Sequence, residues 1–540
     1  MKEISGNIVN LIKKNIYPGK IKINNGKIKD IKKEDKNYKN YIIPGFVDSH
    51  IHIESSMLTP VEFSRIAAIH GTIGLVSDPH EIANVMGVKG IDFMIKNASK
   101  TPVKFYFGVP SCVPASPFET TGCNLDSKIV KKLLKRNDIK FLAEFMNYPG
   151  LINKDPEVME KIKAAKSVDK PIDGHAPGLS GEDLRKYIKS GISTDHECFT
   201  LKEAKEKISH GMKILIREGS AARNFDELVS LLENNWENCM FCSDDKHPDD
   251  LSKGHINLLV KRAVEKNIDP LKVLTASSFN PIKHYNLDIG LLQKGDSADF
   301  LIVDDLQNFN VLKTYIDGIE VAEKNNSNIK KVKTNIVNNF NIKCKKTDGF
   351  KIKCPSNKIN IIEVKDGQLI TEKKVDNPKI ENGYAISDVD KDILKIVVVN
   401  RYKESKPSIG FIKNFGLKNG AIASSVAHDS HNIICVGVND KEIYNAVNLI
   451  IENKGGICAV NKNKKIILPL PIAGIISDKD CNWVSKKYTE LDSFAKHLGS
   501  KLQAPFMSLS FMGLTVIPKI KLSDKGLFDS EKFEFINTCM

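Results

Sequence analysis

The chain is predicted to be an α/β protein built around a parallel eight-stranded (β/α)8 TIM barrel. Three observations point there. Between about residues 44 and 290, short apolar runs of β type alternate with amphipathic segments of helical period. The runs number eight, and eight β/α units in about 250 residues fit a closed barrel. Ionisable residues gather at the C-terminal ends of these runs, the face on which such barrels carry their active sites. The alternative is an open doubly wound sheet whose polar strand ends are unrelated.

Taken in order, residues 1–43 contain INNGKIKDI and read as short strands. The barrel strands are GFVDSHIH (45–52), TIGLVSDPH (72–80), VKFYFGVPS (103–111), IKFLAEFMN (139–147), KPIDGHAP (170–177), GISTDHE (191–197), MKILIREG (212–219) and NCMFCSDD (238–245). Between them SKIVKKLLKR (127–136), PEVMEKIKAAKS (156–167), EDLRKYIKS (182–190), LKEAKEKIS (201–209) and FDELVSLLENN (225–235) carry apolar residues at helical spacing. Ser180, followed by Asp183, marks a helix start. After the barrel, GDSADFLIVDD and KTYIDGIEV read as strands again. The predicted domains are therefore a small β-sandwich from both flanks (1–43 and 290–340), the barrel (44–289) and a C-terminal α+β domain (341–540). Residues 323–350, rich in Asn and Lys, read as a linker or exposed edge.

Composition excludes several classes. With 41% hydrophobic and 27% charged residues the 540-residue chain is ordinary globular material, long enough for two to four domains. The net charge of +14 invites a nucleic-acid reading, but only seven of the 80 basic residues are Arg. A phosphate-binding surface would concentrate its charge and use more Arg, so the Lys excess reads as solvated faces. No signal peptide and no run of roughly 18 apolar residues is present. Eleven scattered Cys suggest reduced thiols and a cytoplasmic protein. Cys239 and Cys242 read as two buried thiols of the eighth strand rather than a redox pair.

The strongest local signal is His50-Ile51-His52. Side chains alternate faces along a strand, so both imidazoles can grip one metal from inside the barrel. Glu144 in the fourth strand, His175 after the fifth, His196 after the sixth and Asp244 after the eighth arrive at the same rim. Burying four His and two carboxylates without a cation is costly, and one or two metals answer that cost. Asp245, adjacent to Asp244, faces the other side of a regular strand. His80, closing the second run, either touches substrate or supports the site, or is a loop-bonded rim histidine. His428 and His431 read as a cap on the site or as a surface pair.

This layout resembles the amidohydrolase superfamily: HxH on strand one, a carboxylate on strand four, His on strands five and six, Asp on strand eight. The stretches PGFVDSHIHIESSMLTP, VSDPHEIANVMG, GVPSCVPASPFETTG, LAEFMNYPG, DGHAPGLSG, TDHE, REGSAARN and CSDDKHPDDL resemble the adenine deaminase family in particular, and NGAIASSVAHDSHN resembles that family's extra domain. The resemblance implies a cytoplasmic hydrolase of purine salvage that turns adenine and water into hypoxanthine and ammonia. It also implies a centre of two divalent transition metals, Mn first, with Fe or Zn as alternatives. On this reading His50, His52 and Asp244 hold one metal, His175 and His196 the other, and Glu144 bridges them. Hydroxide made available at a metal attacks C6 of the purine, and Asp244 carries the proton to the departing amine. Glu218, in the seventh-strand end, and Glu197 are both candidates to protonate N1. The H-x-E and P-C-x-x-C pattern of the zinc base deaminases is missing.

The expected partner is thus adenine as a small-molecule substrate, in a homo-oligomer without nucleic acid or membrane. Two rivals remain at this level. The same metals could open a cyclic amide or related heterocycle. A non-catalytic nucleic-acid protein would need a cluster of phosphate-binding or base-reading side chains, and none is visible.

Overall fold

The computed structural model describes residues 2–220 and 222–540. The chain divides into two compact units. One is Met1–Pro79, Asp92–Ser111 and Asp126–Lys333; the other is His80–Ile91, Cys112–Leu125 and Thr334–Met540. Residues 80–91 and 112–125, which fall inside the 44–289 stretch read as barrel, therefore belong with the C-terminal unit. Their ties there are long-range: Asn339 Nδ2 donates to Val85 O at 2.9 Å, and Thr120 N to Asp524 Oδ1 at 2.8 Å. No local pattern discloses such contacts.

In the first unit both flanks of the barrel join one eight-stranded sheet. Its members are β1 (Lys2–Asn10), β2 (Asn15–Asn24), β3 (Lys27–Lys33) and β4 (Tyr41–Pro44), then, after the barrel, β13 (Phe300–Val303), β14 (Val311–Ile316), β15 (Ile319–Glu323) and β16 (Asn326–Ser327). β4 is the seam. It runs parallel to β1 at Asn7↔Tyr41 and antiparallel to β13 at Phe300↔Pro44. Ile8, Ile21, Ile42, Phe300 and Tyr315 come from both flanks and share one core. Fully burying each such side chain contributes about 1.5–3 kcal/mol.

The eight predicted barrel strands are all present: β5 (Phe46–Ile51), β6 (Thr72–Ser77), β7 (Lys104–Val109), β8 (Ile139–Phe145), β9 (Ile172–Gly174), β10 (Thr194–Asp195), β11 (Lys213–Arg217) and β12 (Cys239–Cys242). β5 to β9 pair in parallel in sequence order, as do β10 to β12. Parallel bridges Ile172↔Ile192 and Ile51↔Asp244 close the two gaps, so the sheet is a barrel and not an open sheet. Near-continuous apolar runs such as CMFC in β12 are buried throughout, as parallel strands covered on both faces require. β9 and β10 approach closely: a Cβ on Gly174 would lie 2.2 Å from Thr194 O, so glycine is needed immediately before His175.

Helices between the strands start where the sequence offers caps. Asp126 accepts from Ile129 N at 2.8 Å, and Thr200 from Glu203 N at 3.2 Å. Ser180 is the N-cap of Gly181–Lys189, as its position predicts, although its hydroxyl makes no capping bond. Helix Ser127–Leu134 buries Val130, Leu133 and Leu134, the apolar stripe of KIVKKLL.

The second unit is α+β, as expected. Its main sheet has eight strands in the spatial order 371–376, 359–364, 408–413, 393–399, 433–437, 421–424, 456–460, 465–469. Helix Asp440–Glu452 covers one face, packing Ile443, Val447 and Ile450 against Val397, Ala423 and Cys435. Cys354 and Cys539 are joined by a disulfide across 185 residues of sequence, so the expected set of eleven reduced thiols becomes nine. His428 and His431 are not a surface pair. Both are buried, with His428 Nδ1 and His431 Nε2 each against one oxygen of Glu81. Burial alone would raise the Glu81 carboxyl, but His428, His431 and His80 hold it well below the usual range. Among the described residues no helix is long and apolar enough to cross a membrane.

Candidate metal centre

The barrel strands deliver their polar ends to one point. His50 lies in β5, and His52 follows it directly; Glu144 is the penultimate residue of β8; His175 and His196 directly follow β9 and β10; Asp244 lies two residues past β12. His50 Nε2 and His52 Nε2 face each other at 3.2 Å. Asp244 Oδ1 lies 3.0 Å from His52 Nε2 and 3.5 Å from His50 Nε2. Glu144 spreads its two oxygens: Oε1 is 3.5 Å from His52 Nε2, while Oε2 is 3.0 Å from His175 Nδ1 and 3.2 Å from His196 Nε2. The rings of His50 and His196 stack at 4.1 Å. All six predicted ligands are thus brought together, five of them buried and His175 partly so.

The donor set fits divalent transition metal. His52 Nδ1 stands 3.1 Å from Asp78 O, which can only accept, so His52 Nε2 turns its lone pair to the cluster, where a cation shared with His50 Nε2 at 3.2 Å would be held. His50–His196–Asp244 and Glu144–His175–His196 each form a group able to hold an ion. Burial, reinforced by His196, pushes the His50 imidazole down, which keeps it neutral as a ligand must be. Burial would also lower His175, but Glu197 and Glu144 outweigh it and raise the ring to about 9. A cation bound there would take the place of that proton.

The structure adds residues that the sequence reading passed over. Arg217, fully buried at the end of β11, donates from Nη1 to Asp244 Oδ2 at 2.7 Å and from Nη2 to Glu197 Oε2 at 3.2 Å, with Nη1 also on Glu197 Oε1. Burial opposes ionisation of Asp244, yet Arg217, His50 and His52 hold its carboxyl well below the ordinary range. Tyr187 places His175: its hydroxyl accepts from His175 N at 3.0 Å and donates to Phe145 O at 2.6 Å. His255, given no role from sequence, stands against Asp48 Oδ2 at 2.8 Å and Thr72 Oγ1 at 2.8 Å. Cys239 and Cys242 are buried thiols of β12, and burial pushes Cys239 up to about 12.

One predicted catalytic residue, Glu218, is not part of this cluster. Glu218 follows Arg217, so its side chain takes the opposite parity; its Oε1 lies 2.7 Å from Arg262 Nη1 and it lines a surface pocket with Phe225 and Asp226. Arg217, not Glu218, is the inward residue. His80 lies in the other unit, buried, with Nε2 3.3 Å from Glu81 Oε1. Glu197, the other candidate, does reach the cluster, with Oε1 3.5 Å from His196 Nε2. Asp245 accepts from Ser55 Oγ at 2.5 Å.

A second buried pair braces the rim. Lys207 Nζ donates to Asp195 Oδ2 and to Ala176 O, both at 2.7 Å, tying the residue before His196 to the residue after His175. Burial would lower the Lys207 ammonium, but Asp195 keeps it charged and shifts it upward. Lys207→Met leaves Asp195 buried without its cation and should destabilise the barrel by about 3–5 kcal/mol. Thermal unfolding checks this against Lys205→Met on the exposed side of the same helix. Equal midpoints for the two variants would show that the pair contributes nothing.

Sequence comparisons agree with the geometry. Residues 41–321 match the model of the amidohydrolase family, and residues 368–534 that of the adenine deaminase C-terminal domain. The chain is 50% identical to an adenine deaminase of Methanosarcina acetivorans over 547 residues, covering 99% of both chains. It is 48% identical to one of Salinibacter ruber over 536 residues, covering 99% of this chain and 98% of that one. Among solved structures it is similar to a β-aspartyl dipeptidase from Fervidobacterium islandicum, with a TM-score of 0.46 and 16% identity, covering 61% of this chain and 99% of that one. The buried histidine–carboxylate cluster, the match over the barrel, the match to the C-terminal domain and the full-length relatives agree: the chain belongs to the adenine deaminase family of amidohydrolases.

Proposed function

We propose that the barrel cluster is the catalytic centre at which this chain hydrolyses adenine to hypoxanthine and ammonia, and that it holds two divalent transition ions, manganese foremost. The observation that carries the reading is the convergence of four imidazoles and two carboxylates on one buried rim. His50, His52 and Asp244 would hold one ion, His175 and His196 the other, with Glu144 reaching both. A bound ion supplies water acidified from about 15.7 toward roughly 7. The chain's own groups do the rest. Asp244 turns Oδ1 to the histidine face, where that atom can accept a proton from an attacking water and release it to the leaving amine. Burial of five of the six residues lowers the local dielectric and strengthens the charge interactions inside.

Protein produced with added manganese should contain up to two ions per chain by elemental analysis. It should release ammonia from adenine and yield hypoxanthine by chromatography, and chelation should abolish the activity. Full activity with no bound ion would refute the metal assignment. Metal-loaded protein that leaves adenine intact but opens a dihydropyrimidine or hydantoin would overturn the substrate and keep the metal centre.

A further inference from the structure

We propose that Arg217 is a positioning residue for deamination: its guanidinium fixes Asp244 by Oδ2, so that Oδ1 alone faces His50 and His52. This rests on the reading of the barrel cluster as the catalytic centre. Arg217 ends β11, between β10 and β12, and its side chain spans both neighbours. Nη1 reaches Asp244 Oδ2 beyond β12 at 2.7 Å, and the fork closes on both oxygens of Glu197 beyond β10. The backbone is fastened as well. Arg217 N donates to Asn224 Oδ1 at 2.7 Å, and Asn224 Nδ2 donates to His196 O and Cys198 O, each at 3.1 Å. One residue thus sets the spacing of the sixth, seventh and eighth strand ends, from which His196 and Asp244 project.

The chemistry requires arginine at this place. A carboxylate with both oxygens free can rotate and present either of them, or both. Capping Oδ2 with a buried guanidinium removes that freedom and leaves one anionic oxygen aimed at the histidines. A planar fork can serve two carboxylates in fixed directions, whereas an ammonium is a single point charge on a flexible stem. A buried cation at this position is expensive unless paired, and here the terminal nitrogens pair with two acids from different strand ends. Arg217 acts through Asp244 and Glu197, the two carboxylates its fork holds.

The test is a kinetic cycle on manganese-loaded enzyme with Arg217→Met, Asp244→Asn and the double variant, with cobalt(II)-loaded protein read in parallel by visible absorption. Arg217→Met should lower kcat on the order of 10²-fold, the worth of one preorganised donor, with little change in KM. Added to Asp244→Asn it should have little further effect on kcat, because the residue it acts through is already changed. The cobalt spectrum should change in Arg217→Met, as Asp244 gains a second free oxygen, and the double variant should match Asp244→Asn. Arg217→Lys, which keeps the charge and folds more readily, should recover only part of kcat and still show the altered spectrum. Losses that multiply in the double variant, or full activity with an unchanged spectrum in Arg217→Lys, would overturn the proposal. If wild-type enzyme leaves adenine untouched, the catalytic reading fails instead, and the cobalt spectra still decide whether Arg217 sets the presentation of Asp244.

Discussion

Glu144→Gln is expected to lose one of the two proposed metal ions and at least about 10²-fold in activity. Changing a group that merely supports a ligand already costs 10- to 100-fold, so losing a direct bridging anion should reach or pass the upper figure. Glu144 places Oε1 toward His52 and Oε2 toward His175 and His196, and serves both halves of the cluster only because both oxygens are anionic. Glutamine keeps the length but offers one neutral carbonyl oxygen and an NH2 that only donates. That NH2 would face either His52 or the His175–His196 pair, and a donor directed at a ligating nitrogen repels a cation from that half. Elemental analysis after dialysis against metal-free buffer should therefore fall toward one ion per chain. Two ions and wild-type turnover in this variant would move the bridge to another residue.

The barrel and the gathering of the six candidate ligands were legible because they rest on local rules. Alternation put His50 and His52 on one face, and the strand-end rule put Glu144, His175, His196 and Asp244 on one rim, where the structure has them. Strand lengths were less legible: β9 spans three residues and β10 two, since the close approach at Gly174 and the bridge Ile172↔Ile192 replace regular ladder pairing. The choice between Arg217 and Glu218 turned on one residue of parity. Glu218 has the chemistry of a proton donor and Arg217 that of an exposed strand end, yet the partners that draw Arg217 inward lie 20 and 27 residues away in sequence. Longer reaches were invisible. Glu81 meets His428 and His431 across 347 and 350 residues, and Cys354 meets Cys539 across 185. Periodicity describes an element's own face and says nothing of which distant element covers it.

Asp244→Asn tests the most specific chemical claim. Asparagine keeps the shape of the side chain and an oxygen toward His52, but it cannot accept a proton from an attacking water and pass it on. The expected fall in kcat is on the order of 10²–10⁴-fold, the usual worth of a positioned acid–base group. Asp244 is also an expected ligand, so lost ligation must be separated from lost proton transfer. Mass action makes the separation: weaker ligation is refilled by excess manganese, whereas an absent base is not. The proposal that Asp244 carries the proton predicts the second outcome: Asp244 is held at Oδ2 by Arg217, and Oδ1, 3.0 Å from His52 Nε2, is the atom that would serve both roles. The deficit should therefore persist at saturating manganese with two ions bound. If added manganese restores full turnover, Asp244 is a ligand only, and the proton carrier is to be sought at Glu197, the remaining carboxylate that lies 3.5 Å from His196 and shares the same guanidinium.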